Sequence, residues 1–380
     1  MIDSRGWLAS VIADRQPIWP DGQEFDVLYL ESLAKREGVA ALVGERLHSA
    51  SASQDAWVTA VPFVVHQAFQ DAAREVALIS MLQEELAKRL LLLMAQAALP
   101  GMLLKGQALG RWAFVAPHLR ESTDIDVLLA TRKDTELLAH RLQAEGYVLS
   151  HPMPAELVGY ELTCVRKVSD AVNIEIDLHW RLSNSPLFGY RFTFDELMKE
   201  SIPLPGLGSN ARGLGPVHAL IHACMHRAFN LSEPGYYDSL KWLYDIPMIT
   251  RGFEATDWNH FTTLCRERGL AGVCLVSLDA ASETFGADFL ALPPEVRASL
   301  EQARATESLD VSRLRQWRYR EFKVMMALPT VRMRLRYLAQ RFLPTREYMA
   351  QLYETPDAGY LGLLGIRLRR ALKRCLGHRV

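Results

Sequence analysis

Cysteine is scarce in this chain of 380 residues: Cys164, Cys224, Cys265, Cys274 and Cys375 are scattered, odd in number and without a CxxC pair. That pattern argues against a disulfide framework and a zinc ribbon, and it predicts a reducing, cytoplasmic setting. Long apolar runs are missing as well. The most apolar stretch, residues 90–104, is shorter than the ~20 residues a membrane-spanning helix needs and is interrupted by Gln96, Pro100 and Gly101. It reads as a core helix followed by a core strand. The opening MIDSRGWLASVIADRQ places Asp3, Arg5 and Asp14 where an export signal needs an apolar stretch, so no export is expected. Nor does one sign of charge dominate. With 43 Lys+Arg against 44 Asp+Glu the formal charge is −1, which excludes a uniformly basic nucleic-acid coat and does not favour nucleic acid as partner.

What the chain does have is apolar content, 49% of its residues, enough for a sizeable core and too much for global disorder. Its length predicts two or three domains. From residue 24 to about 98 apolar residues recur at helical spacing, as in FDVLYLESLAKREGVAALVGERL and VALISMLQEELAKRLLLLMAQ. Pro100-Gly101 breaks the pattern, residues 102–104 read as a short buried strand and 107–114 as a helix. A strand over 124–129, a helix over 133–145 ending at Gly146, and strands near 159–168 and 172–180 joined by a turn at Ser169-Asp170 follow. A Pro/Gly-rich connector at 203–216 leads back to helical periodicity. The expected fold is α+β: a small mixed β-sheet core (99–202) flanked by an N-terminal helical segment (1–98) and a C-terminal helical domain with a basic tail (203–380).

The chemistry concentrates on two strands. In DIDVLL, Asp124 and Asp126 share one face about 7 Å apart. In NIEIDLHW, Glu175, Asp177 and His179 do the same on a strand of strict period two. Were these strands neighbours, four acids would converge, and such crowding is relieved by protons or cations, with hard oxygen ligands selecting Mg²⁺ or Mn²⁺. Either Glu175 or Asp177 can complete the set.

The run LLKGQALGRWAFVAPHLRESTDIDVLLATRKD, a helix ending at Gly146-Tyr147 and the later IEIDLHWRL together resemble the uncharacterised nucleotidyltransferases of the DNA polymerase beta-like superfamily. In that family a strand ending in Lys-Gly leads to a helix, then to Arg-x-x-x-Asp-apolar-Asp, and later to acid-Leu-His-Trp. The matching residues are Lys105-Gly106, Arg120, Asp124, Asp126, and Asp177 with His179 and Trp180. LGPVHALIHACMHRAFN with DSLKWLYDIPMI, and FLPTREYMAQLY, resemble its later helical segments, so the likeness extends over residues 25–375.

The resemblance implies transfer of a nucleoside monophosphate from ATP or another NTP, with Asp124, Asp126 and Asp177 holding two Mg²⁺ (or Mn²⁺) ions and Asp177 as general base. The superfamily's usual Gly-Ser is replaced here by Lys105-Gly106. Lysine can supply a phosphate contact as a point charge while Gly106 allows close backbone approach, with Ser122 beside them among the nucleotide-binding residues. Arg120 either clamps the triphosphate or pairs with Asp124. Glu175 and His179 would support the metal set, and His226, Lys241 and Asp245 would line the cleft. Trp242 and Tyr244 can stack on a base or pack in the core. His218, His222 and His226 form one helical stripe whose ends lie about 12 Å apart, too far for one zinc ion.

The implied acceptor is a small molecule, sugar phosphate or peptide. The alternatives are a protein or tRNA acceptor, as in toxin-like members, and a non-catalytic scaffold. The near-zero net charge hides a cancellation, since the first 310 residues carry 27 basic and 40 acidic residues and the last seventy carry 16 and 4. In the last helix, residues 361–376, Leu361, Leu364, Leu368, Leu372 and Cys375 oppose Arg367, Arg370, Lys373 and Arg374. That face predicts an anionic partner or a solvated surface.

Overall fold

The computed structural model describes residues 3–19, 26–150, 155–169, 173–233, 235 and 237–375, with side chains described as far as 370. Its centre is a mixed sheet of seven strands: β1 (Gly101–Leu103), β2 (Asp124–Leu129), β3 (Val148–Leu149), β4 (Glu161–Lys167), β5 (Asn173–His179), β6 (Ile202–Pro203) and β7 (Arg212–Gly213). Their order across the sheet is β3-β4-β5-β2-β1-β7-β6. β2 and β5 run parallel, as do β1 and β7, and the remaining neighbours are antiparallel. The fold is α+β, with helices flanking the sheet. The turn expected at Ser169-Asp170 runs into residues 170–172, outside the described ones.

Alternation along the strands sorts their side chains onto two faces. Ile125, Val127 and Leu129 of β2 and Ile174, Ile176 and Leu178 of β5 form one buried core with Ala87, Leu90 and Met94 of the 34-residue helix Phe63–Gln96. Leu138 and Leu142 of the helix Arg132–Ala144 complete that layer. Thr131 caps this helix by accepting from the Asp134 N–H at 3.2 Å, and Gly146 follows its end at φ +87°, a left-handed position that glycine fills without strain.

The opposite face carries Asp124, Asp126, Glu175, Asp177 and His179. It is partly roofed by the C-terminal helices: Met102 and Leu128 join the core of Pro216–Ser232, Ala255–Arg268 and Ala271–Phe285. A third core gathers the N-terminal helices around Tyr244 and Phe285. The acidic strands thus lie between a packed sheet and a helical roof.

Two features escaped the periodicity. The two-residue strands β3, β6 and β7 are too short to show alternation, and β6 and β7 extend the sheet through the connector at 203–216. The C-terminal helix Tyr360–Cys375 docks through Leu363, fully buried against Met349, Ala350 and Tyr353, whereas Leu361 and Leu368 are 82% and 62% exposed. Its docked side includes Arg367, which donates to the Arg341 carbonyl at 2.7 Å, and Arg370, which lies 4.7 Å over the Tyr353 ring. Tyr353 and Arg341, rather than the longest apolar stripe, decide which side turns inward. The side chains of Leu372, Lys373, Arg374, Cys375 and Leu376 lie outside the described ones. No helix among the described residues is long and apolar enough to cross a membrane.

Helix Ala40–Ala52 crosses Phe63–Gln96 at Gly44, where a Cβ would stand 2.6 Å from the Phe69 carbonyl oxygen and 3.1 Å from the Ala73 Cβ. Gly44→Val is expected to destabilise the protein by about 2 kcal/mol through overpacking. Urea unfolding reads this directly, and an unchanged midpoint would refute the close crossing.

Candidate active site

The register of β2 on β5 brings the acids together. Asp124 stands opposite Glu175 and Asp126 opposite Asp177, while Leu128 faces His179. On the other side of β5, β4 sets Glu161 beside His179 and Thr163 beside Asp177. Asp126 is 1% exposed. A carboxylate that deep requires a compensating charge, and it has two neighbours: Lys105 Nζ at 2.7 Å and His179 Nε2 at 2.9 Å, both on its Oδ1. Its other oxygen, Oδ2, is buried without any partner.

These contacts set the protonation of the cluster. Burial opposes ionisation of Asp126, but Lys105 and His179 outweigh it and hold the carboxyl well below the usual carboxylate range. Burial likewise opposes the charge on Lys105 and His179, yet Asp126 and its acidic neighbours raise both above their ordinary values. Asp177 and Asp124 are pushed up, first by burial and in both cases also by the Asp126 charge. The Thr163 hydroxyl donates to Asp177 Oδ1 at 2.6 Å, and Glu161, itself pushed up by burial, lies 3.4 Å from His179 Nδ1.

Asp126, Asp177 and His179 each offer one ligand atom within 4.8 Å of the others, so this trio can hold a metal ion. The unpartnered Oδ2 of Asp126 and a donor set of two carboxylates and one imidazole fit a divalent cation. Asp124 is outside the trio: its Oδ1 accepts from Ser122 Oγ at 3.0 Å. Glu175 is exposed.

Lys105 opens the helix Lys105–Trp112 directly after β1, at φ +44°. A left-handed lysine costs about 1–2 kcal/mol and persists only where its surroundings hold it. Here the Leu104 N–H donates to the Asp126 carbonyl at 3.0 Å, fixing the turn beside the carboxylate that Lys105 binds. Gly106 is obligatory for a different reason: a Cβ there would lie 2.5 Å from the Ser122 Cβ and Oγ. Ser122 is further held by Gln83, whose amide donates to the Ser122 carbonyl at 3.0 Å.

Arg120 pairs with Asp245 rather than Asp124. Its Nε and Nη2 donate to the two Asp245 oxygens at 2.5 and 2.7 Å, and both side chains are 5% exposed. The next residue, Glu121, accepts from the Ala41 N–H at 2.7 Å, at the start of helix Ala40–Ala52. Lys241, against Gly38, has its ammonium destabilised by burial and by Arg120, while Asp124, Asp245 and Glu121 act the other way.

Lys105, Arg120, His222, His226, Trp242 and Asp245 line a cavity of about 30 Å³, room for little more than a water molecule. His226 meets the Trp242 ring edge-on at 5.2 Å, so no open stacking slot exists there. Burial pushes His222 down to about 3 and His226 well down, keeping both neutral. His218 lies apart from them against Glu200, at 3.4 Å. Tyr244 is a core residue whose hydroxyl donates to the Ile12 carbonyl. Glu161, Thr163, Gln83 and Glu121 were not singled out from the sequence, and His222 entered only as part of the histidine stripe. The alternation of β4, which puts Glu161 and Thr163 on one face, is the signal that could have found the first two.

A mixed sheet with acid-bearing parallel strands abreast, under a helical roof, defines an α+β protein with a metal-competent site on one sheet face. Residues 23–286 match the family model described as uncharacterised nucleotidyltransferase, and the chain belongs to that family. The match includes every site residue from Lys105 to Asp245 and ends before FLPTREYMAQLY. No curated protein sequence matches the chain.

Arg120→Met is expected to cost about 3–5 kcal/mol, because it leaves Asp245 charged and buried. Pairing it with Asp245→Leu should restore much of that loss. Denaturant titration of the single and double variants measures the difference, and a double variant as unstable as the sum of the singles would refute the pairing.

Proposed function

We propose that the chain transfers a nucleoside monophosphate, AMP from ATP, to a small-molecule, sugar-phosphate or peptide acceptor in a Mg²⁺- or Mn²⁺-dependent reaction. The observation that carries this reading is the pair Asp126 and Asp177, abreast on parallel strands, with one Asp126 oxygen buried and unpartnered. Family membership supports an NTP as the donor substrate.

Asp126 and Asp177, joined by Asp124 or His179, would hold the cations. When bound, divalent ions would supply charge neutralisation for the triphosphate and for the attacking and leaving oxygens of an in-line displacement. The residues of the chain do the rest. Asp177, whose carboxyl has a heightened proton affinity, takes the proton from the acceptor group as that group attacks the α-phosphorus, and the bond to the β-phosphate oxygen breaks to release pyrophosphate. Gly106 and Ser122 present a tight turn to the phosphates, and Lys105 contributes a point charge. Arg120, locked by Asp245, holds the strand-entry loop in place instead of moving with substrate. His226 and Lys241 border the acceptor side of the cleft.

Mass spectrometry of acceptor mixtures incubated with each NTP and Mg²⁺ should reveal a nucleotidyl mass increment, largest with ATP. Asp126→Asn and Asp177→Asn should each lower that turnover by on the order of 10³-fold. Thermal stabilisation by NTP plus Mg²⁺ should be lost with Asp126→Asn. Full turnover and stabilisation in both variants would overturn the mechanism.

A further inference from the structure

We propose that Lys105 is the resident cation of this site: its ammonium compensates Asp126 until a divalent ion binds, and the ion's arrival releases it. The proposal rests on the reading above that the site takes a divalent ion, and it concerns what occupies the acids beforehand.

Four observations carry it. First, the Asp126 carboxylate is only half satisfied. Lys105 and His179 both bind Oδ1, while the equally buried Oδ2 has no partner. The lysine therefore neutralises charge without filling the acceptor capacity, a state that a cation able to draw on both oxygens and on Asp177 improves. Second, the ammonium lies where the acids converge: Asp126, which it binds at 2.7 Å, stands abreast of Asp177 and shares its strand face with Asp124. Third, Lys105 can leave. Its side chain is 22% exposed, whereas Arg120, the neighbouring cation, is 5% exposed and locked by two bonds to Asp245. Fourth, its left-handed backbone, held beside Asp126 by the Leu104 N–H, is a conformation lysine does not favour by itself, so the contact is built and not incidental.

A divalent ion drawing on Asp126 would add two further positive charges beside the ammonium on Oδ1, and in so buried a place that repulsion is large. A divalent ion outcompetes one ammonium because it brings twice the charge and several coordination positions. The freed lysine then carries its charge to the solvent side of the cleft, where a triphosphate enters. One residue thus protects the acids from mutual repulsion in the absence of metal and becomes available for phosphate once metal is present.

The test uses Mn²⁺ alone, without nucleotide. Titration calorimetry should show Lys105→Met binding Mn²⁺ tighter than the native protein by on the order of tenfold or more, and Asp126→Asn should bind little. In the native protein, acylation of the Lys105 amine by an N-hydroxysuccinimide ester, read by peptide mass spectrometry, should rise several-fold when Mn²⁺ is added, with other lysines unchanged. This second measurement needs no variant and stands even if Lys105→Met fails to fold. Equal Mn²⁺ affinity with and without Lys105, or unchanged acylation with Mn²⁺ bound, overturns the proposal and leaves the metal-dependent reading standing. Absence of Mn²⁺ binding in the native protein and in folded Lys105→Met overturns that reading as well.

Discussion

The architecture of this molecule answers to a single electrostatic demand, the neutralisation of Asp126. A carboxylate 1% exposed on the inner half of a sheet would cost several kcal/mol if left alone. Lys105 from the end of β1 and His179 from the end of β5 reach it from either side, so the strand order that places β2 between β1 and β5 is also the order that surrounds its charge with cations. The purely apolar side of the same strands carries no such burden and packs as an ordinary helix-on-sheet layer.

A short entry loop ties that sheet to the rest of the chain. Three consecutive residues point to three different structures: Arg120 to the helix Leu240–Thr250, Glu121 to the helix Ala40–Ala52, and Ser122 to Gly106 at the strand-helix turn. Each contact is charged or sterically tight, so the position of Asp124 and Asp126 depends on both helical segments. The roof is therefore part of the site's geometry and not a cover added to a finished core.

Much of this was legible from residue order. The alternation of DIDVLL and NIEIDLH put the acids on one face of each strand, and the long helical periodicity before residue 98 corresponds to helices Val27–Glu37, Ala40–Ala52 and Phe63–Gln96. Alternation cannot say which strands are neighbours, however. The parallel pairing of β2 with β5 is a tertiary choice, and so is the arrival of Glu161 and Thr163 on β4 next to Asp177 and His179. Arg120 shows the same boundary: its nearest acid in sequence is Glu121, the patterned one is Asp124, and the one it binds is Asp245. Two-residue strands such as β6 and β7 contain too few residues for any period to appear.

The Arg120–Asp245 pair also imposes an order on synthesis. Its members are 125 residues apart. When β1 to β5 have left the ribosome, the guanidinium that fixes their entry loop still lacks the Asp245 carboxylate, and its charge must stay hydrated while the helices that end the wait are translated. A nascent chain can form the hydrophobic side of the sheet early, but the acidic side takes its final shape only after residue 245 has emerged. Translation speed between β5 and the helix Leu240–Thr250 thus sets how long an incomplete, acid-rich sheet face is exposed to chaperones and to stray cations.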